Sequence, residues 1–370
     1  MGRLSTEELT SLEDSLARLL RDQSPMTAVR ASMETEDSFS QELWQQLAAM
    51  GITGLLIDEE YGGSGAGPVT MERVMEQVGA TLMCGPLLAS AVLAAGVISG
   101  SGDHAAEARL LPAIAGGDSI ATVLLTGPKG TWTEEGVALT AAPQGNRWTV
   151  SGEAHYVLHA ANANCWLAVA RTDQGLALFE LDRKAQGISC NRQRSFDHTL
   201  RIDQITLDAV PGKAIGTPGC GWQAVEQGLN QALVALAGEQ AGGARRMLEI
   251  TVEYAKLRYQ FGRPIGSYQA IKHMAADLII ESESAVSAAR KAAAELDARS
   301  SDYPGWISLA AFACADAFNR VAADGIQMHG GIAFTWEHPA HLYLRRARAG
   351  VQLFGNSTYH RENYVRALGG

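Results

Sequence analysis

Between residues 213 and 370 the sequence carries four long stretches of helical pattern, about 221–257, 267–299, 304–329 and 339–366. They are interrupted at Phe261-Gly-Arg-Pro264, at Ser300-Ser-Asp-Tyr-Pro304 and between Gly330 and Pro339. Helices that long, joined by short connections, bury their apolar stripes most readily against one another, so this region predicts a four-helix bundle. Ile271, Met274, Ala275 and Leu278 mark one such stripe. Upstream, from about 121 to 212, the period changes. Trp148-Thr-Val150, Cys165-Trp-Leu-Ala-Val-Ala170, Leu176-Ala-Leu-Phe-Glu-Leu181 and Ile202 to Leu207 are short β-rich runs separated by Gly, Asn and Asp clusters, which predicts an antiparallel sheet or small barrel. The first 120 residues are helical again. Leu43, Trp44, Leu47 and Met50 share a face, Gly51 stands where a helix-ending glycine would, a second helix begins near Val69, and Leu87 to Ile98 reads as a buried helix. The expected fold is therefore α+β. It has an N-terminal helical domain (1–120), a middle β-sandwich or barrel domain (121–212) and a C-terminal four-helix-bundle domain (213–370).

Composition narrows the function. The chain has 370 residues, 46% of them hydrophobic, and a formal net charge of −10. A chain that acidic is a poor general binder of nucleic acid or of anionic membrane. Its five cysteines, Cys84, Cys165, Cys190, Cys220 and Cys314, are odd in number and widely spaced, and no two form a Cys-x-x-Cys pair. That argues against a disulfide framework or a zinc site and fits a reducing cytoplasm. The polar, acidic start of the chain does not read as a signal peptide, and no apolar run approaches the length of a membrane span.

Two segments carry the strongest chemical signal. Arg258-Tyr-Gln-Phe-Gly262 lies within Tyr254-Ala-Lys-Leu-Arg-Tyr-Gln-Phe-Gly-Arg-Pro-Ile-Gly-Ser-Tyr-Gln-Ala-Ile-Lys272, and Gln327-Met-His-Gly-Gly331 follows about sixty residues later. With the loop Glu60-Tyr-Gly-Gly-Ser-Gly65 and the helix–β–helix order, they make the chain resemble the flavin-dependent acyl-CoA dehydrogenases over nearly its whole length. The resemblance implies that both segments hold the ADP half of FAD and reach across to a flavin seated mainly in the neighbouring subunit. On that basis Arg258 pairs with the pyrophosphate, since a guanidinium fork matches phosphate oxygens. Gln260, Gln269 and Gln327 belong to the same cofactor face, Phe261 offers a wall near the adenine, and Gly330 and Gly331 let backbone N–H groups approach the cofactor.

The departures from the family are as informative. Its usual chemistry takes the α-proton of an acyl thioester with a glutamate and passes hydride from the β-carbon to the flavin. Gly355, in Leu353-Phe-Gly-Asn-Ser-Thr358, stands where that glutamate lies in many members, and Ala232 stands at the alternative position on the first bundle helix. Neither side chain accepts a proton, and loss of a positioned base costs about 10²–10⁴ in rate. The family's Thr-Glu-Pro…Gly-Ser-Asp loop reads Thr126-Gly-Pro-Lys-Gly-Thr-Trp132 here, so Gly127 replaces the glutamate. The family's Trp-Ile-Thr strand reads Tyr156-Val-Leu158, without the threonine hydroxyl.

No catalytic residue is therefore assigned. The expected role is that of the non-catalytic subunit of a heterotetrameric acyl-CoA dehydrogenase, contributing FAD contacts in trans to a homologous catalytic subunit. The resemblance extends to steroid side-chain or other bulky acyl-CoA substrates, with an electron-transfer flavoprotein as acceptor. Two other readings stay open. One is a self-sufficient homotetramer with a relocated base, for which Glu239, seven positions beyond Ala232, is the weak fallback. The other is a non-enzymatic assembly protein, which would have no need of Arg258, Gln269 and the Gly330-Gly331 turn. Asp197, Glu362 and His360 are read as a structural hydrogen-bonding residue and two surface residues of a terminal helix.

Overall fold

The computed structural model describes residues 4–145 and 147–369. Helices open the chain: α1 (Thr6–Gln23), α2 (Met26–Glu34), α3 (Gln41–Ala49), α4 (Gly67–Thr81), α5 (Ala95–Ser99) and α6 (His104–Ala115). A capping box starts α1: the Glu8 N–H donates to Ser5 Oγ at 3.3 Å and the Ser5 N–H donates to the Glu8 carboxylate at 2.8 Å. Gly51 ends α3 with φ +76°, the left-handed conformation a helix C-terminus favours. The stretch from Leu87 to Ile98 is buried as its pattern predicts, but Leu88–Ala94 is π-helical and only then gives way to α5.

The middle region is a small closed barrel: β1 (Ala121–Leu124), β2 (Thr140–Gln144), β3 (Arg147–Leu158), β4 (Cys165–Thr172), β5 (Gly175–Leu181), β6 (Ile188–Arg192) and β7 (Ile202–Ile215). Pairings β4–β2, β2–β3, β3–β7, β7–β5 and β5–β4 complete a ring, which removes most free strand edges. Of the two expected forms, an antiparallel sheet or a small barrel, the barrel is the one formed; most of its pairs are antiparallel, but β1 and β2 both pair with β4 in parallel. Such pairs join strands that are distant in sequence, so no local hairpin signal announces them. The register of β3 against β7 slips between Ala154 and Val157, a bulge that puts Tyr156 at φ +57°.

Three long helices, α7 (Gly221–Leu257), α8 (Gln269–Ala298) and α9 (Tyr303–His329), form the body of the bundle. Small side chains, among them Ala237, Ala241, Ala289, Ala293 and Ala317, are buried where these helices meet. The predicted fourth helix is instead two, α10 (Ala340–Gly350) and α11 (Ser357–Ala367). The chain leaves helical geometry at Phe354 (φ +60°) and Gly355 (φ +117°). Asn356 then caps α11, its side chain accepting the Tyr359 N–H at 3.0 Å. Among the described residues no helix is long and apolar enough to cross a membrane.

The helical N-terminal region and the bundle share one seam. A Cβ added at Gly79 of α4 would run into the Glu239 carbonyl oxygen of α7, and one added at Gly242 of α7 into the Glu76 carbonyl oxygen of α4. Beside this seam Glu72 is 1% exposed, and neither of its carboxylate oxygens has a hydrogen-bond partner among the described residues. Burial, with Glu76 close by, pushes its carboxyl up to about 8. A carboxyl whose folded pKa lies above its unfolded value supports the fold fully below the unfolded pKa and loses that support as pH rises through the folded one. Glu72→Gln should therefore stabilise the protein, with little effect near pH 4.5 and a gain growing to about 1–3 kcal/mol by pH 8, relaxation and water penetration holding it below the full shift. Urea unfolding at several pH values measures this. A gain that stays flat from pH 5 to 8 would contradict it.

Candidate functional site

The two sequence segments lie at the ends of α7 and α9. Beyond Leu257 the chain becomes extended at Arg258, and Tyr259–Gln260 pairs antiparallel with Arg263–Pro264 across a tight turn at Phe261 (φ +53°) and Gly262 (φ +81°). The hairpin is held by the Ile265 N–H donating to the Arg258 carbonyl at 2.8 Å and by the Tyr268 hydroxyl donating to the Gln260 carbonyl at 3.0 Å. The Arg263 guanidinium covers the Tyr268 ring at 4.0 Å, whereas Arg258 has no ion-pair partner among the described residues. Gln269 opens α8 and Gln327 lies on the last turn of α9. Gly330 turns the chain at φ +67°, and a Cβ on Gly330 or Gly331 would meet nothing within 4 Å. Their small size is thus not demanded by this chain's own packing. His329 joins the two segments, stacking on Tyr254 of α7 at 4.6 Å and meeting His338 edge-on at 4.5 Å.

Arg258, Gln260, Phe261, Gln269, Gln327, Gly330 and Gly331 are all exposed. Large apolar side chains surround them: Phe261 is 95% exposed, Leu257 79% and Phe334 78%. Clustered exposed apolar groups mark an interaction surface. Guanidinium, amide and open glycine backbone form a donor set that suits a pyrophosphate and a nucleotide base.

The stretches Thr126–Trp132 and Tyr156–Leu158, which the resemblance associates with the flavin ring, are different. A cleft of about 390 Å³ opens between the barrel and α10. Trp132, Tyr156 and Phe196 line it, with Lys129, Arg194 and Arg348. The β3 bulge turns Tyr156 toward this cleft, and the Tyr156 N–H is already bonded to Gln193 Oε1 at 2.8 Å. Leu158 is buried in the barrel, its carbonyl accepting the Thr122 hydroxyl at 2.6 Å, and offers the cleft no polar group. These residues do not fit an isoalloxazine ring as the family holds one.

A second cleft, of about 620 Å³, lies between Glu226 and Leu229 of α7, Pro304 and Ile307 of α9, and His360 of α11. Trp132 lines both clefts. It is fixed there by its indole N–H donating to the Gln352 carbonyl at 3.2 Å and by edge-on contact with Phe354 at 5.1 Å. Sequence reasoning gave Trp132 no role; an indole in a Gly-rich loop was the available signal. His360 is a correction, for it is 3% exposed rather than on the surface, and burial holds its imidazole down to about 4. Glu362 faces Arg366 at 3.9 Å.

Ala232 and Gly355, the two positions that the resemblance assigns to a base, carry no proton acceptor. Ala232 is 0% exposed within α7. A Cβ at Gly355 would stand 2.6 Å from Tyr359 Cδ1 and 2.9 Å from His360 Nε2. Glu239, the fallback base, is buried and accepts from Arg346 Nη1 at 2.6 Å. The same guanidinium donates to Asp197 at 3.0 Å and to Thr199 Oγ1 at 2.9 Å. Burial opposes its charge, yet the Glu239 and Asp197 carboxylates outweigh burial and hold its pKa above the usual arginine value. Glu239 and Asp197 are thereby committed to a buried ion cluster, as the structural reading of Asp197 expected.

Comparison with known proteins follows the same lines. The family described as Acyl-CoA dehydrogenase, N-terminal domain, matches residues 6–118, and Acyl-CoA dehydrogenase, C-terminal domain, matches residues 219–369. The chain is 31% identical over 348 residues to acyl-CoA dehydrogenase IpdE2 of Mycobacterium tuberculosis, covering 94% of this chain and 93% of that protein. Its structure resembles a chain of the steroid ACAD Tcur3481-Tcur3483 in a variant form, with TM-score 0.87, 29% identity and 98% of each chain covered. It also resembles a chain of the ChsE4-ChsE5 complex from Mycobacterium tuberculosis, with TM-score 0.90, 26% identity, and 100% of this chain and 99% of that one covered.

Proposed function

The chain belongs to the acyl-CoA dehydrogenase family, and from that premise we propose that it is the non-catalytic subunit of a heteromeric acyl-CoA dehydrogenase. Its role is to hold the ADP half of an FAD whose reactive ring lies in a homologous catalytic partner. Gly355 carries this reading. At the position of the family's base the backbone stands at φ +117° and Tyr359 and His360 fill the space a side chain would need. Arg258 would take the pyrophosphate, Gln260, Gln269 and Gln327 the polar edges of the nucleotide, and Phe261 the adenine face. Bound FAD supplies the hydride acceptor for acyl-CoA oxidation in the partner's centre.

Several features support assembly with another chain. The cofactor segments and the apolar side chains around them are exposed together. Two similar structures, Tcur3481-Tcur3483 and ChsE4-ChsE5, have paired names, one described as a steroid ACAD and the other as a complex. By that likeness the substrate is the CoA thioester of a steroid side chain or another bulky acyl group. The electron acceptor is an electron-transfer flavoprotein, and the site of action is the cytoplasm. The self-sufficient reading loses its candidate base, because Glu239 is held by Arg346.

The test is co-expression with a dehydrogenase that retains its glutamate. Flavin content and acyl-CoA turnover should appear only when both chains are present. Arg258→Ala should then weaken FAD retention in the complex by about 10–100-fold, the worth of one charge-assisted contact. Turnover by this chain alone, or full FAD occupancy in the Arg258→Ala complex, would overturn the reading.

A further inference from the structure

The connector from α9 to α10 carries Gly330 and Gly331, and it is held to the molecule in an unusual way. Ile332, Phe334 and Trp336 are exposed, and Ala333 is the one residue between Gly330 and Pro339 that is buried. Three imidazoles fix the rest. His329, at the end of α9, stacks on Tyr254 of α7 at 4.6 Å and meets His338 edge-on at 4.5 Å. His341, in the first turn of α10, stacks on Trp336 at 4.9 Å. Two guanidiniums stand over the same Trp336 ring, Arg30 of α2 at 5.5 Å and Arg345 of α10 at 5.7 Å. Arg30 also donates to the His338 carbonyl at 3.3 Å.

Hydrogen bonds require two of these rings to be neutral. The Ala340 N–H donates to His338 Nδ1 at 3.2 Å, so that nitrogen is an acceptor and carries no proton. His329 Nδ1 lies 2.7 Å from the Gly325 carbonyl, which can only accept, so the ring proton sits on Nδ1. His329 Nε2 is buried with no hydrogen-bond partner among the described residues, and a second proton there would be stranded. The charged groups around the three rings are Arg30, Arg345 and Glu337, and Tyr254 is the other titratable neighbour. Two fixed cations against one carboxylate leave no surplus of negative charge to balance an added proton. All three imidazoles are held below the usual histidine value. Burial is the first cause, outweighing the nearby backbone of Gly325 and Trp336; the other imidazoles and Arg30 add to it at His338, and Arg30 and Arg345 add to it at His341.

We propose that the α9–α10 connector is a proton-operated latch, closed while His329, His338 and His341 are neutral and opened by their protonation, so that acidification releases Gly330 and Gly331 from the cofactor surface. The proposal rests on the reading that these glycines face the ADP half of an FAD shared with a partner chain. Protonating His338 removes the acceptor of the Ala340 N–H and sets a further positive charge against Arg30, which donates to the same residue's carbonyl. Protonating His341 adds another charge beside Arg30 and Arg345. The rest of α10 stays anchored, because Leu342, Tyr343 and Arg346 are buried. A histidine whose folded pKa lies below its unfolded value supports the closed form fully above the unfolded pKa, about 6.5, and loses that support as pH falls below it. Each ring that takes up a proton only on opening makes opening about tenfold easier per pH unit below that value.

Hydrogen exchange of the full chain without cofactor, corrected for the intrinsic pH dependence of exchange, tests the latch. The bonded N–H groups of Gly330, Thr335, His338 and Ala340 report on it. Between pH 7.5 and 5.5 their protection should fall by about 10–100-fold, for one ring or two, while α7 keeps its own. His338→Asn/His341→Phe keeps an acceptor at 338 and a ring on Trp336 but takes up no proton at either position. It should remove at least about tenfold of that change. Arg30→Gln takes away one facing cation and should also shrink the loss, which serves if the double variant folds poorly. In the co-expressed complex, FAD retention should fall over the same pH range more steeply in the wild type than in the double variant. Protection that is constant from pH 7.5 to 5.5, that falls equally in the double variant, or that falls equally over α7 would overturn the latch and leave the in-trans reading standing. Opening without any change in FAD retention, in a complex that does lose FAD with Arg258→Ala, would overturn the link to the cofactor. FAD retention indifferent to both acid and Arg258→Ala would sink the in-trans reading, and with it the release of cofactor.

Discussion

Arg346→Met should lower the unfolding free energy by about 3–5 kcal/mol, the range for removing one partner from a buried ion pair. Arg346 is 3% exposed and holds together elements far apart in sequence. It contacts Glu239 of α7, 107 residues away, and Asp197 in the loop before β7, 149 residues away. Its other Nη also approaches the Thr199 and Met83 carbonyls. Methionine roughly matches the arginine stem in volume but cannot donate, so two buried carboxylates would lose their shared cation. A domain of ordinary stability has only about 5–15 kcal/mol to lose, so the midpoint in urea should drop sharply. Adding Glu239→Gln to Arg346→Met should recover part of the loss by removing one stranded charge. If Arg346→Met costs under about 1 kcal/mol, the cluster is not a structural keystone and Glu239 returns as a candidate base.

Restoring the missing carboxylate at the usual base position should fail. Gly355→Glu should cost about 2–4 kcal/mol and give no acyl-CoA turnover in the isolated chain. Two costs combine. The backbone at φ +117° is one that side-chain-bearing residues rarely adopt, and the new Cβ would stand 2.6 Å from Tyr359 Cδ1 and 2.9 Å from His360 Nε2. His360 is buried, so it has little room to withdraw. Gly355→Ala separates the causes, since it shares the backbone strain and the Cβ overlap without the charge. Alanine should account for most of the destabilisation. Thermal unfolding of the two variants, beside an acyl-CoA oxidation assay, measures both parts. Activity in Gly355→Glu alone would mean that the chain holds a competent flavin ring and would defeat the proposed division of labour.

Both results turn on how much of this protein is legible before folding. The segments Arg258–Gly262 and Gln327–Gly331 could be singled out together because the residues proposed to hold the cofactor are local in sequence. Arg258, Gln260 and Phe261 fall within four positions, Gly330 follows Gln327 by three positions, and each set sits at the end of one helix. The reading of Gly355 is local in the same way, since a glycine cannot accept a proton wherever the fold puts it. The roles of Tyr156 and Trp132 could not. Tyr156 faces its cleft because β3 slips register against β7, a pairing made across some fifty residues. Trp132 is held by a carbonyl 220 residues further along. His360 looked like a surface residue because α11 is a short terminal helix of weak apolar pattern, but the turn at Phe354 and Gly355 brings it inward.

The sequence by itself determined the helical, β and helical order and the residue types at Arg258–Gly262, Gln327–Gly331, Ala232 and Gly355 on which the proposed function draws. These follow from side-chain chemistry and from hydrophobic periods that repeat within a few residues. Only the tertiary structure decided that the last bundle helix is two helices, that the barrel closes through the parallel pair of β2 with β4, that Glu239 belongs to Arg346, and that three cations and three aromatic rings converge on one cleft. Each of these depends on contacts between residues far apart in the chain, and no short window of sequence records which distant partner a buried charge or a strand edge will meet.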